Sequence, residues 1–237
     1  MDGQSRRAGS FFGRRIGKSL RAGQRLALAE VLPTYLIDIA LPPNTLPLLF
    51  PVPVDDVCLE IGFGGGEHLL AEAERFPARG FIGVEPFQNG LAHMAAVLDE
   101  REIRNVRLFS EDAALLLDWL PAASLARIDL LFPDPWPKRR HWKRRFVRGE
   151  NLARFVRVLQ PNGAFRFASD VPGYVRWTRA AVARNSGLKS IRPETDEATP
   201  YEGWPGTRYE AKAITAGRLP SYLAYVKVEE PPVSAEA

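Results

Sequence analysis

Acidic side chains fall where apolar runs of this chain stop: Glu60 in CLEIGF, Glu85 in GVEPF, Asp112 in SEDA, Asp134 in FPDPWP and Asp170 in ASD. A carboxylate just past a buried strand can accept hydrogen bonds from the hydroxyls and amines of a ligand. Glu60 is followed by a loop in which Gly62, Gly64 and Gly66 let the backbone approach a ligand closely. A dinucleotide fingerprint would need G-x-G-x-x-G, but position 67 is Glu and position 69 is Leu. A carboxylate at a helix start also repels a pyrophosphate. The loop therefore suits a ligand with no phosphate at that point, or is a plain glycine-rich turn. Glu60 itself sits in an apolar run, where an acid is costly without a cationic or amine partner. Glu85 stands where doubly wound folds keep a ribose-diol acceptor, or where a helix N-terminus favours an acid. Asp112 either accepts from an exocyclic amine or caps the next helix. Together these residues imply a pocket for adenosine joined to a cation. S-adenosylmethionine fits, because its sulfonium and α-amino groups are both positive.

The segment FPDPWPKRRHWKRR, residues 132–145, adds a second chemistry. Prolines 133, 135 and 137 stiffen a turn around Asp134 and Trp136. Trp136 either stacks on a base or packs against the sheet. Lys138, Arg139, Arg140, Lys143, Arg144 and Arg145 follow with no acid among them. Such a run is a solvated loop or the rim of a site for a polyanion. A carboxylate at a methyl donor with a cationic rim describes a site that methylates a base in a nucleic acid. Asp170 is a further carboxylate on the same side of the sheet, or the N-cap of the helix at Pro172.

These residues must be positioned by regular elements. DVCLEIGF, FIGVEP, VRLFSED, RIDLLFPDP and AFRFASD read as strands. The segments between them carry helical spacing: Glu67 to Phe76, Phe87 to Leu98, Ala113 to Leu120 and Arg145 to Leu159. A helix with Tyr174, Trp177 and Ala181 follows the fifth strand, which begins after a PNG turn. LKSIRP and SYLAYVKVE are two last strands, with no clear helix between them. The alternation predicts a Rossmann-like doubly wound α/β fold: a mostly parallel seven-stranded sheet, one antiparallel strand near the C-terminus, and helices on both faces. Residues 1–20 read as a flexible basic arm, and 21–54 as a short helix at 21–31 and a proline-broken connection. Residues 55–230 are expected to form an S-adenosylmethionine-dependent methyltransferase domain, and 231–237 a C-terminal tail.

The bulk composition is consistent with this. A chain of 237 residues, 46% hydrophobic, holds one domain with a core that needs no staples. The single cysteine, Cys58, excludes an internal disulfide and reads as core. No apolar run is long enough to span a membrane, and the basic N-terminus lacks the apolar segment of a signal peptide, so a cytoplasmic location is expected. Net charge is only +4, yet the basic residues cluster at the N-terminus and after Pro137, which points to a nucleic acid partner. His68, His93 and His141 are scattered and suggest no metal site. A nicotinamide-dependent oxidoreductase is disfavoured by the loop, and a non-catalytic RNA-binding module by the intact acids.

LEIGFGGGEH, GVEPF, SEDA, FPDPWPKRRHWKRR, ASD, GTRYE and the N-terminal FFGRRIGKSLRAGQR resemble the bacterial tRNA (guanine-N7-)-methyltransferases over nearly the whole chain. The resemblance implies S-adenosylmethionine bound by Glu60, Gly62, Gly64, Glu85, Asp112 and Asp134, with Asp134 also catalytic. It implies that Lys138, Asp170, Thr207, Arg208, Tyr209 and Glu210 bind substrate. Arg139, Arg140, His141, Trp142, Lys143, Arg144 and Arg145 match the RNA-contacting segment. The expected substrate is a guanine of the tRNA variable loop, methylated at N7 by a monomer or homodimer. The alternative is an S-adenosylmethionine-dependent methyltransferase acting on an exocyclic amine or another RNA site. Beyond Glu210 the resemblance carries little.

Overall fold

The computed structural model describes residues 15, 17, 19–40, 45–185 and 187–228. Strands β1 (Asp56–Ile61), β2 (Arg79–Val84), β3 (Val106–Phe109), β4 (Leu125–Leu131), β5 (Leu159–Ser169), β6 (Leu188–Ser190) and β7 (Ser221–Lys227) form one sheet in the order β3-β2-β1-β4-β5-β7-β6. The pairs β1–β2, β1–β4, β2–β3 and β4–β5 are parallel. β7 runs antiparallel to β5 and to β6, so it is the one reversed strand, as the sequence predicts. The chain order switches between β1 and β4, which opens a crevice beyond their carboxyl ends.

Helices α1 (Ala22–Leu26) and α2 (Leu32–Tyr35) flank a π turn at Ala27–Val31. Pro33 has no N–H for a regular helical bond, which accounts for the changed register before it. The helix thus extends beyond residue 31, to Tyr35. In the proline-broken connection, Leu46–Leu49 makes a single 3-10 turn. Helices α3 (Glu67–Arg75), α4 (Gln88–Glu100), α5 (Ala113–Trp119), α6 (Gly149–Val158), α7 (Pro172–Ala183) and α8 (Arg208–Thr215) complete the element set.

Three expectations need correction. α6 begins at Gly149 rather than Arg145, because Arg145 is extended and its side chain is used elsewhere. The PNG turn is a bulge inside β5: the pairing with β4 jumps from Leu159 to Ala164, and Asn162 has φ 60°. A helix, α8, does lie between β6 and β7. It buries only Glu210 and Ala213, so it shows almost no apolar periodicity.

Alternation along the strands splits the interior. Val57, Leu59, Ile61, Ile128, Leu130, Phe165 and Phe167 pack with α5, α6 and α7 on one face. On the other face Cys58, Phe81, Val106 and Leu108 pack with α3 and α4. Burial pushes the Cys58 thiol up to about 11, as befits a core residue. Beside this cluster a row of charges crosses the sheet: Glu60 of β1, Arg127 and Asp129 of β4, and Arg166 of β5, with Glu72 and His68 of α3 above them. Asp129 accepts from Arg127 Nε at 2.8 Å and Arg166 Nε at 2.6 Å. Burial alone would raise its pKa, but the two guanidiniums hold it well below the ordinary carboxylate range.

Of the expected arm, Arg15 and Gly17 lie against the start of α4. Arg15 O accepts from Gln88 N at 3.0 Å, and Gly17 N donates to Asn89 Oδ1 at 3.0 Å. The rest of the arm up to residue 14, and the tail at 231–237, lie outside the described residues.

Candidate active site

Residues that follow β1, β2, β3 and β4 converge on one cavity of about 1140 Å³. That is at or beyond the upper end of the ~300–1,000 Å³ usual for a small-ligand pocket, so it has room for a cofactor and part of a second reactant. Gly62, Gly64, Glu85, Asp112 and Asp134 all line it. Gly64 adopts φ 57°, and a Cβ there would lie 3.1 Å from the ring of Tyr209. A Cβ on Gly90 would come within 2.5 Å of Gly64 O, so α4 and the glycine loop touch backbone to backbone.

Glu85 holds the loop from the side. Its Oε2 accepts from Gly64 N at 2.8 Å and its Oε1 from Phe87 N at 3.0 Å. Each carboxylate oxygen has two acceptor positions, so one on each stays available to a diol. Burial raises the Glu85 pKa, against the two backbone donors that lower it. Asp112 does cap α5, accepting from Ala114 N at 2.9 Å, and it also faces the cavity. The two readings of this residue are compatible.

Asp134 lies in a turn that the sequence marks with prolines. Phe132 and Trp136, each followed by proline, have φ 49° and 43°. Left-handed backbone is costly for such bulky residues, on the order of 1–3 kcal/mol each. The turn is held by Phe132 N, which donates to Ala168 O at 2.8 Å, and by Arg145 Nε, which donates to Pro135 O at 2.9 Å. No hydrogen bond or ion pair reaches the Asp134 carboxylate among the described residues. The residue is exposed to the cavity, and the partial desolvation there raises its pKa. Trp136 lines the cavity rather than packing on the sheet, with Arg144 over its ring at 4.9 Å and His141 edge-on at 5.8 Å.

Arg139–Arg144 forms a 3-10 turn at the cavity mouth. Arg139, Arg140 and Lys143 are exposed there, as is Lys138 just before them. Some desolvation, then Arg144, Arg140, Lys138 and Lys143, lowers the pKa of His141, a sign of the local positive field. Trp142 donates to Pro137 O at 3.3 Å. Arg145 differs from the other cations of the run. It is only 3% exposed, and its guanidinium sits about 5 Å from the rings of Trp142, Tyr174 and Trp177. Caged this way, it braces the Asp134 turn from the cavity wall rather than standing out as an exposed cation.

At the far wall, Arg208 and Tyr209 line the cavity, and Arg208 Nε donates to Glu67 at 2.5 Å. Thr207 and Glu210 instead build the start of α8. Thr207 Oγ1 accepts from Glu210 N at 3.1 Å, and Glu210 accepts from Thr207 N, Trp204 Nε1 and the Tyr222 hydroxyl. Two other expected residues are paired within the protein and are not among those that line the cavity. Asp170 is paired with Arg218 at 2.6 Å and caps no helix, since Val171 occupies the N-cap of α7. Glu60 is buried beneath α3 against His68. The cavity also takes in Asn89, Phe132, Leu115, Asn151 and Arg154, which the sequence did not single out. Only the packing of α5 beside α6, pinned by the Arg154–Asp118 pair at 2.6 Å, brings the last three together.

A family model described as "Putative methyltransferase" matches residues 55–220. The chain is 60% identical over 93% of its length to a tRNA (guanine-N(7)-)-methyltransferase of Azorhizobium caulinodans, covering 96% of that protein. It is 54% identical over 96% of its length to the protein of that name from Rhizobium etli, covering 100% of it. Among solved structures, the 16S rRNA methyltransferase KamB shares the fold, with TM-score 0.51 and 18% identity over 75% of this chain and 89% of its own. The identity and coverage of the first two relatives, on a cavity of this build, place the chain in the tRNA (guanine-N(7)-)-methyltransferase family.

Proposed function

We infer that this protein transfers the methyl group of S-adenosylmethionine to N7 of a guanine in tRNA, in the variable loop. The observation that carries the reading is Asp134: a carboxylate without a partner among the described residues, in a cavity with room for a cofactor and part of a second reactant, beside an exposed basic turn. The pocket fits the cofactor. Glu85 has acceptor positions left for a ribose diol, and the open glycine loop places no fixed anion-binding helix end toward the ligand, since Glu67 and Arg208 occupy it. S-adenosylmethionine supplies an electrophilic methyl group on a sulfonium.

Guanine N7 carries an in-plane lone pair and no proton, so the protein needs no general base. Its task is alignment, which can lower a barrier by up to roughly 7–11 kcal/mol. Positive charge moves onto the purine during transfer. Asp134 is suited to accept from the guanine N1–H and 2-amino group and to stabilise that charge. Asp170 is less suited, because Arg218 already neutralises it. Trp136, under Arg144, offers a face for the base, and Arg139, Arg140 and Lys143 offer charges for the backbone phosphates. The reading includes a cytoplasmic location and action on tRNA as a monomer or homodimer; among the described residues no helix is long and apolar enough to cross a membrane and no group of three or more His, Cys, Asp and Glu side chains could hold a metal.

The test is transfer of labelled methyl from S-adenosylmethionine to unmodified tRNA transcripts, followed by borohydride–aniline cleavage. Label with a single cut in the variable loop is expected. Label without that cut would replace N7 by an amine or ribose acceptor.

A further inference from the structure

We propose that His68 and Glu60 are positioning residues that close the glycine loop upon itself, and that Glu60 serves the cofactor through this bond rather than by touching it. The inference rests on the methyltransferase reading above. Glu60 is the penultimate residue of β1 and His68 the second of α3, so their contact spans the entire Gly62–Gly66 loop. His68 Nδ1 lies 2.7 Å from Glu60 Oε2, and both side chains are buried. Neither lines the cavity. Glycines with positive φ at 62, 64 and 66 leave the loop little preference of its own, so its ends must be fixed for it to meet a ligand ready-shaped.

The surroundings favour such a role. Nδ1–H donates to Glu60 in the neutral tautomer and in the imidazolium alike, so the bond needs no particular charge on the ring. Nε2 faces Arg166 Nη2 at 3.4 Å, and Arg166 is itself held by Asp129 at 2.6 Å. Arg127 and Glu72 complete the charged shell on β4 and α3. The indole of Trp204 packs on the imidazole at 5.1 Å, and its Nε1 donates to Glu210 at 2.7 Å. His68 therefore also supports the start of α8, from which Arg208 and Tyr209 cover Gly65 and Gly64. One imidazole joins the loop to the wall that faces it.

Three variants separate this role from direct contact. Glu60→Gln keeps an oxygen that accepts from His68 but removes the charge. His68→Asn keeps a donor near the Nδ1 position, and His68→Leu removes it. We expect calorimetric binding of S-adenosylhomocysteine within about threefold of wild type for E60Q and H68N, and a loss of tenfold or more for H68L. In H68L the KM for S-adenosylmethionine should rise while kcat at saturation stays within about threefold. A tenfold loss in E60Q would mean that its charge meets the cofactor directly and would overturn the proposal, as would wild-type binding by H68L. Should H68L fail to fold by circular dichroism, E60Q and H68N decide: retained binding supports the staple, and its loss in either refutes it. Wild-type protein that binds no S-adenosylhomocysteine would remove the methyltransferase reading itself, and this inference with it.

Discussion

Among the described residues no partner neutralises Asp134, which faces a cavity whose walls raise its pKa. Replacing it by Asn leaves the shape of the turn and removes the charge. We expect Asp134→Asn to lower kcat by about 100-fold, the scale of losing one group aimed at developing charge. Affinity for S-adenosylhomocysteine should stay within about threefold by calorimetry. Loss of binding alone would make Asp134 a cofactor residue only. The ionised form is the one that can accept two guanine donors. The wild-type kcat/KM should therefore fall as pH drops through a limb above the ordinary carboxylate value of ~3.9. The residual rate of D134N should lack that limb. Residues such as Asp134, Glu85 and Gly64 were legible in the sequence because their chemistry is local: an apolar run ends and a special residue follows. Glu60 was half legible. An acid in an apolar run demanded a cationic or amine partner, and that partner is His68, on the next helix. Asp170 was not legible, because what defines it is Arg218, 48 positions away on the α8–β7 connection.

The 3-10 turn at Arg139–Arg144 and the clamp behind it divide one basic run into two jobs. Its exposed members should behave as phosphate contacts. Neutralising Arg139, Arg140 and Lys143 together should make the slope of log affinity for tRNA against log salt less steep by roughly 2–3, with thermal stability unchanged. An unaltered slope would move the footprint elsewhere. Arg145 should behave in the opposite way. Arg145→Lys loses the fork that holds Pro135 O and the flat contact with three rings. It should cost about 2 kcal/mol of stability, a melting shift of roughly 4–8 °C, and reduce kcat while leaving the salt slope intact. A flattened slope in R145K would return this residue to the rim. Charge alone could not separate these cations; burial among Trp142, Tyr174 and Trp177 does. The elements around them were legible where apolar periodicity was strong, as in β1 to β5. α8 was missed because its sequence, RYEAKAIT, buries two positions, and one of them is an acid.

Across the whole molecule, the buried charge row sets how stability responds to pH. Asp129 has a folded pKa below its unfolded value, so its contribution is complete above the unfolded value and fades as pH falls through the folded one. Urea unfolding should show stability dropping below about pH 4, with less of that slope in Asp129→Asn. At neutral pH the same variant should lose about 3–5 kcal/mol, because it leaves two buried guanidiniums to share the single charge of Glu72. A loss under about 1 kcal/mol would mean the row relaxes without its central acid. Strand order carries a different kind of consequence. β7 lies between β5 and β6, although it follows both in the chain. During synthesis, β5 must wait for the roughly fifty residues that precede Ser221 before its open edge is covered. At ~5–20 residues per second that is about 3–10 s, in which a nascent chain displays an unpaired edge and Glu210 of α8 lacks its Tyr222 partner on β7. Synonymous codons that slow translation between α7 and β7 would lengthen that window, and should show as aggregation of newly made protein rather than as any defect in the finished molecule.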